Sequence, residues 1–328
     1  MALTLGIILV LVLAFVLGPR PRLNPTPGAS RVPTDLPPAA LGDWLEAAEA
    51  TIPELTPGAE ATIDWADPEN PGKTDLVFVY LHGFSATRQE TAPVTENIAA
   101  TFDANIVHVR LAGHGVGPDG MATPSEDWLQ STLDTFNIAS QVGDRIVLVG
   151  TSTGVTLATW LLFQPGINTE RVVALLAMSP NFKIRNPFGF LLTWPWAYHW
   201  VPMLLGRSRS WEPENEMAAK YWTHSYDTVA VIEMQKVVDH VATLRLEDAN
   251  VPMAMMYMTN DPTVDTPANL TAFDRWGAPG KELIQVTIDP DEESHVFVGN
   301  ITAPHRVDWC VDMFTTFLEP LVGDTGTS

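Results

Sequence analysis

The residues with the clearest chemical potential are a serine set between two glycines, Gly150-Thr151-Ser152-Thr153-Gly154. A serine hydroxyl at its ordinary pKa is a weak nucleophile; it needs a base within hydrogen-bond reach, and that base needs an acid to orient it. Candidates for both follow later in the chain. Asp261 lies in Thr-Asn-Asp-Pro-Thr-Val-Asp at 259–265, with Asp265 as the runner-up, and His295 closes Asp-Pro-Asp-Glu-Glu-Ser-His at 289–295. The chemistry this set could perform is nucleophilic attack by Ser152 on a carbonyl, with His295 moving the proton.

Such groups work only if the fold holds them together. Residues 146–149 (Ile-Val-Leu-Val) are a continuous apolar run of the kind that forms a buried parallel strand, and 155–163 have helical composition. A strand turning directly into a helix strains the residue at the corner, and side chains two positions away on either side would obstruct the turn. Gly150 and Gly154 remove that obstruction. The corner lifts the Ser152 hydroxyl above the sheet edge, and the first turn of the helix offers N–H groups and a positive dipole end to a developing oxyanion.

Further apolar runs at 75–83, 105–111, 171–179, 251–258 and 283–288 read as strands, and the patterns at 90–102 and 123–140 read as helices. Alternating strands and helices predict a mostly parallel sheet covered on both faces, with the site at the C-terminal strand ends. Asp261 and His295 follow two of these strands, so both loops can reach Ser152. Residues 186–246 interrupt the alternation with aromatics, including Trp194, Trp196 and Trp200, and are read as a helical cap. Most of those rings are expected to pack the cap, and a few to line a pocket.

The competing histidines have simpler readings. His82 and His114 sit in turn motifs, His108 lies in a strand, His305 opens the last helix, and His199, His224 and His240 fall in the insertion. Asp261 directly follows its strand and is favoured over Asp265, for which a helix N-cap is the default role. The acidic run 289–293 reads as a solvated loop.

The 328 residues suit one large α/β domain with an insertion. A net charge of −21 repels phosphate backbones and argues against nucleic-acid binding. The single cysteine, Cys310, excludes an intrachain disulfide and a thiolate metal cluster. No metal-ligand spacing such as His-Glu-x-x-His occurs. Residues 1–18 are almost unbroken aliphatic sequence, read as a single membrane anchor, with a cleaved signal segment as the alternative. Arg20, Arg22 and Arg31 behind it favour a cytoplasmic catalytic domain by the positive-inside tendency. Residues 19–60 read as a proline-rich linker and lead-in, 61–185 and 247–322 as the core, and 186–246 as the cap or lid.

Four motifs, Leu-His-Gly-Phe-Ser at 81–85, Arg-Leu-Ala-Gly-His-Gly at 110–115, Gly-Thr-Ser-Thr-Gly at 150–154, and the paired Asn-Asp-Pro-Thr-Val and Ser-His-Val loops, resemble the α/β-hydrolase superfamily. Within it, the chain most resembles the monoacylglycerol lipases and lysophospholipase-like carboxylesterases. The resemblance implies an α/β-hydrolase fold, Ser152 as nucleophile, His295 as general base and acid, Asp261 as orienting acid, and an oxyanion hole from the backbone N–H groups of Phe84 and Thr153. It implies no metal and no organic cofactor. The expected substrate is a lipid-like carboxylic ester, an acylglycerol or a lysophospholipid, met by Phe84, Trp194, Trp196 and Trp200. Peptidase, thioesterase or C–C hydrolase chemistry shares this constellation, and a non-catalytic, membrane-tethered binding module is the remaining alternative.

Overall fold

The computed structural model describes residues 2–287 and 294–323. The chain opens with helix α1 (Ala2–Val16) and helix α2 (Pro38–Glu49), followed by strands β1 (Thr62–Asp64) and β2 (Thr74–Leu81). Helix α3 (Val94–Thr101), strand β3 (Asn105–His108), helix α4 (Ser125–Val142), strand β4 (Gly143–Thr151), helix α5 (Thr153–Leu162) and strand β5 (Val172–Met178) complete the first half. Then come helix α6 (Ala197–Leu205), strand β6 (Ser208–Ser210), helix α7 (Glu216–Tyr221), strand β7 (Ser225–Asp227) and helix α8 (Val229–Ala242). Strand β8 (Met253–Tyr257), helix α9 (Thr266–Arg275), strand β9 (Lys281–Gln285) and helix α10 (Val307–Val322) close the fold.

Among the described residues, seven strands form one sheet in the order β1-β3-β2-β4-β5-β8-β9. Only β1 runs antiparallel, against β3. The expected α/β architecture is therefore present, with one short antiparallel edge strand that its three residues, Thr62-Ile63-Asp64, do not announce. Period-two alternation divides each central strand between two cores. Val77, Val79 and Leu81 of β2 and Ile146 and Leu148 of β4 face the side packed by α4, α5 and α8. Leu76, Phe78, Tyr80, Val147 and Val149 face the other side, where Ile98 of α3 and Phe314 of α10 are buried. Because β3 lies on one side of β2 and β4 on the other, the strand order reverses there, which opens a crevice at the C-terminal ends of β2 and β4.

The strands are shorter than the apolar runs suggest. The run at 105–111 stops pairing at His108, and that at 251–258 pairs only over Met253–Tyr257. The predicted helix at 90–102 begins only at Val94, because residues 82–93 are drawn into a tight loop over the sheet edge. Ile288 and the acidic run 289–293 lie outside the described residues.

The expectation of a transmembrane anchor is overturned. Helix α1 has 15 residues, and at about 1.5 Å per residue it falls short of the roughly 30 Å hydrocarbon layer of a bilayer. Among the described residues no helix is long and apolar enough to cross a membrane. The membrane partner and the membrane-anchored location inferred from this segment fall with it. The aliphatic run ends against the insertion: Trp196 Nε1 donates to the Ala14 carbonyl at 3.2 Å, Trp196 N–H donates to the Pro19 carbonyl at 2.7 Å, and Phe15 meets Trp194 edge-on.

The proline-rich segment behind it is extended but not free. Trp160 Nε1 donates to the Pro25 carbonyl at 3.0 Å, Arg31 pairs with Asp134 at 2.6 Å, and Val32 is buried in the core. Between β5 and β8, helix α8 packs on α5 and buries Val237 and Val241 in the main core. A buried polar cluster fastens it: Glu233 accepts from Ser125 N–H at 2.8 Å, from Lys236 at 2.7 Å, and from the Tyr198 hydroxyl. The antiparallel ribbon of β6 and β7 went unanticipated because Ser208-Arg209-Ser210 is exposed and carries no alternation.

Candidate active site

Ser152 stands at the corner between β4 and α5 with φ +52° and ψ −116°, a conformation that an L-residue adopts only under local constraint. The constraint is visible in the two glycines. A Cβ on Gly154 would lie 1.9 Å from the Leu81 carbonyl oxygen, and one on Gly150 would lie 2.9 Å from Val155 N. The helix can thus approach the ends of β2 and β4 only without those side chains. Ser152 N–H donates to the Met178 carbonyl at 2.9 Å, and the Ser152 carbonyl accepts from Asn181 at 3.1 Å and Val155 at 3.1 Å. The strained residue is held on both sides, and 7% of it remains exposed.

The turn after β2 lies directly against the serine: a Cβ on Gly83 would be 3.3 Å from Ser152 Cβ. Thr153 opens α5, so its N–H falls in the first helical turn, where no intrahelical acceptor exists. Phe84 follows Gly83, and its ring meets Trp128, His114 and Tyr226 at centroid distances of 6.0, 6.2 and 5.3 Å. This apolar cluster forms one wall beside the turn.

Asp261 and His295 meet. His295 Nδ1 lies 2.8 and 3.0 Å from the two carboxylate oxygens of Asp261, which is buried. The same carboxylate accepts the N–H groups of Thr263 at 2.8 Å and Val264 at 3.0 Å, which fixes its orientation. His295 is anchored through its carbonyl, which accepts from Ser179 Oγ at 3.1 Å. Its Nε2 is buried and without a hydrogen-bond partner among the described residues. It therefore makes no hydrogen bond to the Ser152 hydroxyl in this structure.

Asp265 goes elsewhere. It caps α9 by accepting Ala268 N–H at 2.9 Å and pairs with Lys183 at 2.8 Å. Burial alone would raise its pKa, but Lys183 and the Ala268 N–H outweigh this and hold it below the ordinary value. His82 and His114 are buried in the loops beside the serine. Burial pushes the His82 ring down to about 4 and that of His114 well below its ordinary value, so both stay neutral. The neutral His82 can accept Leu111 N–H through Nε2 at 3.2 Å.

Of the tryptophans expected near substrate, Trp194 and Trp196 meet the amino-terminal segment, and Trp200 donates to the Pro195 carbonyl at 3.0 Å. Two residues near Ser152 escaped the sequence reading. Asn181, just past the end of β5, donates through Nδ2 to Thr153 Oγ1 at 3.2 Å; its position after a strand end was the available signal. Glu90 is 1% exposed and accepts the N–H of Gly83; helical spacing around it concealed its place in the loop.

Fold and site together define a hydrolase architecture, with a serine elbow at the switch point of a parallel sheet. The chain belongs to the Alpha/beta hydrolase family, which matches residues 76–307. No curated protein matches it by sequence. Solved structures share its fold at low identity. A structure from the metagenome-derived lipolytic enzymes LipS and LipT superposes with a TM-score of 0.64 at 18% identity, covering 80% of this chain and 98% of that one. The monoacylglycerol lipase of Paleococcus ferrophilus gives 0.56 at 15% identity, covering 79% and 98%. A soluble variant of the monoglyceride lipase of Saccharomyces cerevisiae, in complex with a substrate analogue, gives 0.58 at 12%, covering 83% and 95%.

Proposed function

We propose that the protein is a serine hydrolase of carboxylic esters in which Ser152, His295 and Asp261 form the catalytic triad. The observation that carries this reading is the coincidence of a strained serine corner at the end of β4 with a buried carboxylate, from the loop after β8, that pairs with the half-buried imidazole of His295. His295 Nε2 takes the Ser152 proton as Oγ attacks the ester carbonyl. The tetrahedral oxyanion is held by the N–H groups of Phe84 and Thr153. Collapse of that intermediate breaks the acyl–oxygen bond, and His295 returns the proton to the leaving alcohol. Water, deprotonated by the same imidazole, then releases the acid from the acyl-enzyme. Asp261 keeps Nδ1–H directed at itself, so that Nε2 faces the reaction as the acceptor.

A lipid-like acyl group is favoured because the half-buried rings of Phe84 and Tyr226 meet beside the turn, and because the fold relatives include monoacylglycerol lipases. The test is hydrolysis of p-nitrophenyl esters from acetyl to palmitoyl. Octanoyl and longer esters should be turned over faster than acetyl, and Ser152→Ala should cost about 10⁴-fold or more in kcat. Equal or faster turnover of acetyl would sink the lipid-like substrate. Cleavage of a thioester or amide with no oxygen ester touched would replace the esterase assignment.

A further inference from the structure

Beneath the Gly83 turn lies a carboxyl group with no part in the triad. Glu90 is wholly buried, and its carboxyl accepts the backbone N–H of Gly83 and, at 3.0 Å, the hydroxyl of Tyr80. That hydroxyl also accepts from Thr91 Oγ1 at 2.8 Å and lies 3.2 Å from Thr151 Oγ1, in the residue immediately before the nucleophile. On its backbone side, Glu90 is pressed by the segment following His295. A Cβ on Gly299, which has φ +118°, would lie 2.7 Å from the Glu90 carbonyl oxygen, and Asn300 N–H donates to the Ala92 carbonyl at 2.8 Å. The Glu90 side chain therefore ties the turn that carries Phe84 to the Tyr80 hydroxyl and, through it, to the end of the strand that carries Ser152, while the backbone at Glu90 and Ala92 packs against the segment that follows His295.

We propose that Glu90 is a positioning residue for the esterase reaction proposed above: by accepting the Gly83 N–H, its carboxyl holds the turn that carries Phe84 against Ser152 and so sets the geometry of the oxyanion hole. Release of the Gly83 N–H would let the turn shift and carry the Phe84 N–H, one peptide further on, away from the oxyanion, and a misplacement of about 1 Å at such a donor can cost on the order of 10²-fold in rate. Neutrality is required because a carboxylate this close to the serine would oppose the charge developing on the oxyanion. Burial supplies it, pushing the Glu90 pKa up to about 8 against the lowering effect of the Gly83 and Tyr80 hydrogen bonds.

The titratable groups around it stay neutral through the relevant range. Tyr80, on β2, is pushed well above its ordinary pKa by burial and by Glu90 itself, and His82, in the same turn, is pushed down to about 4 by burial. From β4 and from the segment after His295, the neighbours are the Thr151 hydroxyl and the backbone at Gly299, neither of which titrates. The active form thus predominates below about pH 8, and activity declines as Glu90 loses its proton above it.

The experiment is the pH profile of kcat, from pH 6 to 9.5, for p-nitrophenyl octanoate hydrolysis by the full chain, alongside the rate of Ser152 labelling by a fluorophosphonate. Wild type should lose activity with a midpoint near pH 8. Glu90→Gln keeps an acceptor oxygen without a proton to lose; its kcat at pH 7 should stay within about threefold of wild type and its alkaline decline should vanish. Glu90→Ala should lose about 10- to 100-fold in kcat with KM little changed, as for a misplaced oxyanion donor. A Gln variant whose profile superimposes on wild type overturns the proposal, even where Glu90→Ala fails to fold. Wild-type protein that labels at Ser152 but cleaves no ester sinks the ester assignment alone, and the labelling profile of Glu90→Gln then decides the role of Glu90. Absence of labelling removes both.

Discussion

Asp261 and Asp265 illustrate how position alone gives like side chains different partners. Asp261 and Asp265 are four apart on one loop and chemically identical, yet one accepts from His295 and two backbone N–H groups while the other caps a helix and holds Lys183. Their substitutions should therefore separate cleanly. Asp261→Asn, which leaves the wrong imidazole tautomer, should lower kcat by about 10³- to 10⁴-fold with the fold intact. Asp265→Ala should cost about 1 kcal/mol of stability through the lost cap and leave kcat near wild type. Ester kinetics and thermal melts of the two variants check this pair, and the reverse pattern would transfer the acid role to Asp265. Position after a strand favoured Asp261 from sequence, but only the folded loops show which carboxylate meets the ring.

At the scale of elements, the site depends on how closely α5 approaches β2. Gly154 is the contact point, since any side chain there would strike the Leu81 carbonyl. Gly154→Ala should force the helix and the turn carrying Phe84 apart, destabilising the fold by about 3 kcal/mol or more and removing ester hydrolysis even in preparations that remain folded. A melt unchanged from wild type would show that the elbow tolerates a methyl group. The Gly-x-Ser-x-Gly spacing made the strand–turn–helix unit legible in the sequence, because the steric demand is local. The loop 82–93 was not legible in the same way. Glu90 has helical spacing to its neighbours, but hydrogen bonds from Gly83 and Tyr80 hold it outside α3, and neither partner could be identified from spacing.

Across the whole molecule, the amino-terminal residues divide into two parts with different attachments. Helix α1 meets the rest of the chain through Phe15, Trp194 and Trp196, whereas residues 19–32 lie along the core through Pro25, Arg31 and Val32. Removing residues 1–17 should leave Tm within about 2 °C of the full chain. Removing residues 1–31 should lower it by about 2 to 6 °C, since the buried indole of Trp160 loses its acceptor at a cost of about 1–3 kcal/mol. Differential scanning calorimetry of both truncations decides the matter, and equal melts would show the strap to be energetically idle. By itself the sequence determined the parallel sheet and the serine corner. Continuous apolar runs have few places to go other than a doubly covered sheet, and a glycine-flanked corner is a requirement between near neighbours. The tertiary structure alone decided that the proline segment binds the core, that the aliphatic run ends against Trp194 and Trp196, and that Glu90 sits beneath the Gly83 turn beside Ser152. Each of these rests on contacts between residues brought together by the packing of separate segments, and chain spacing carries no record of such contacts.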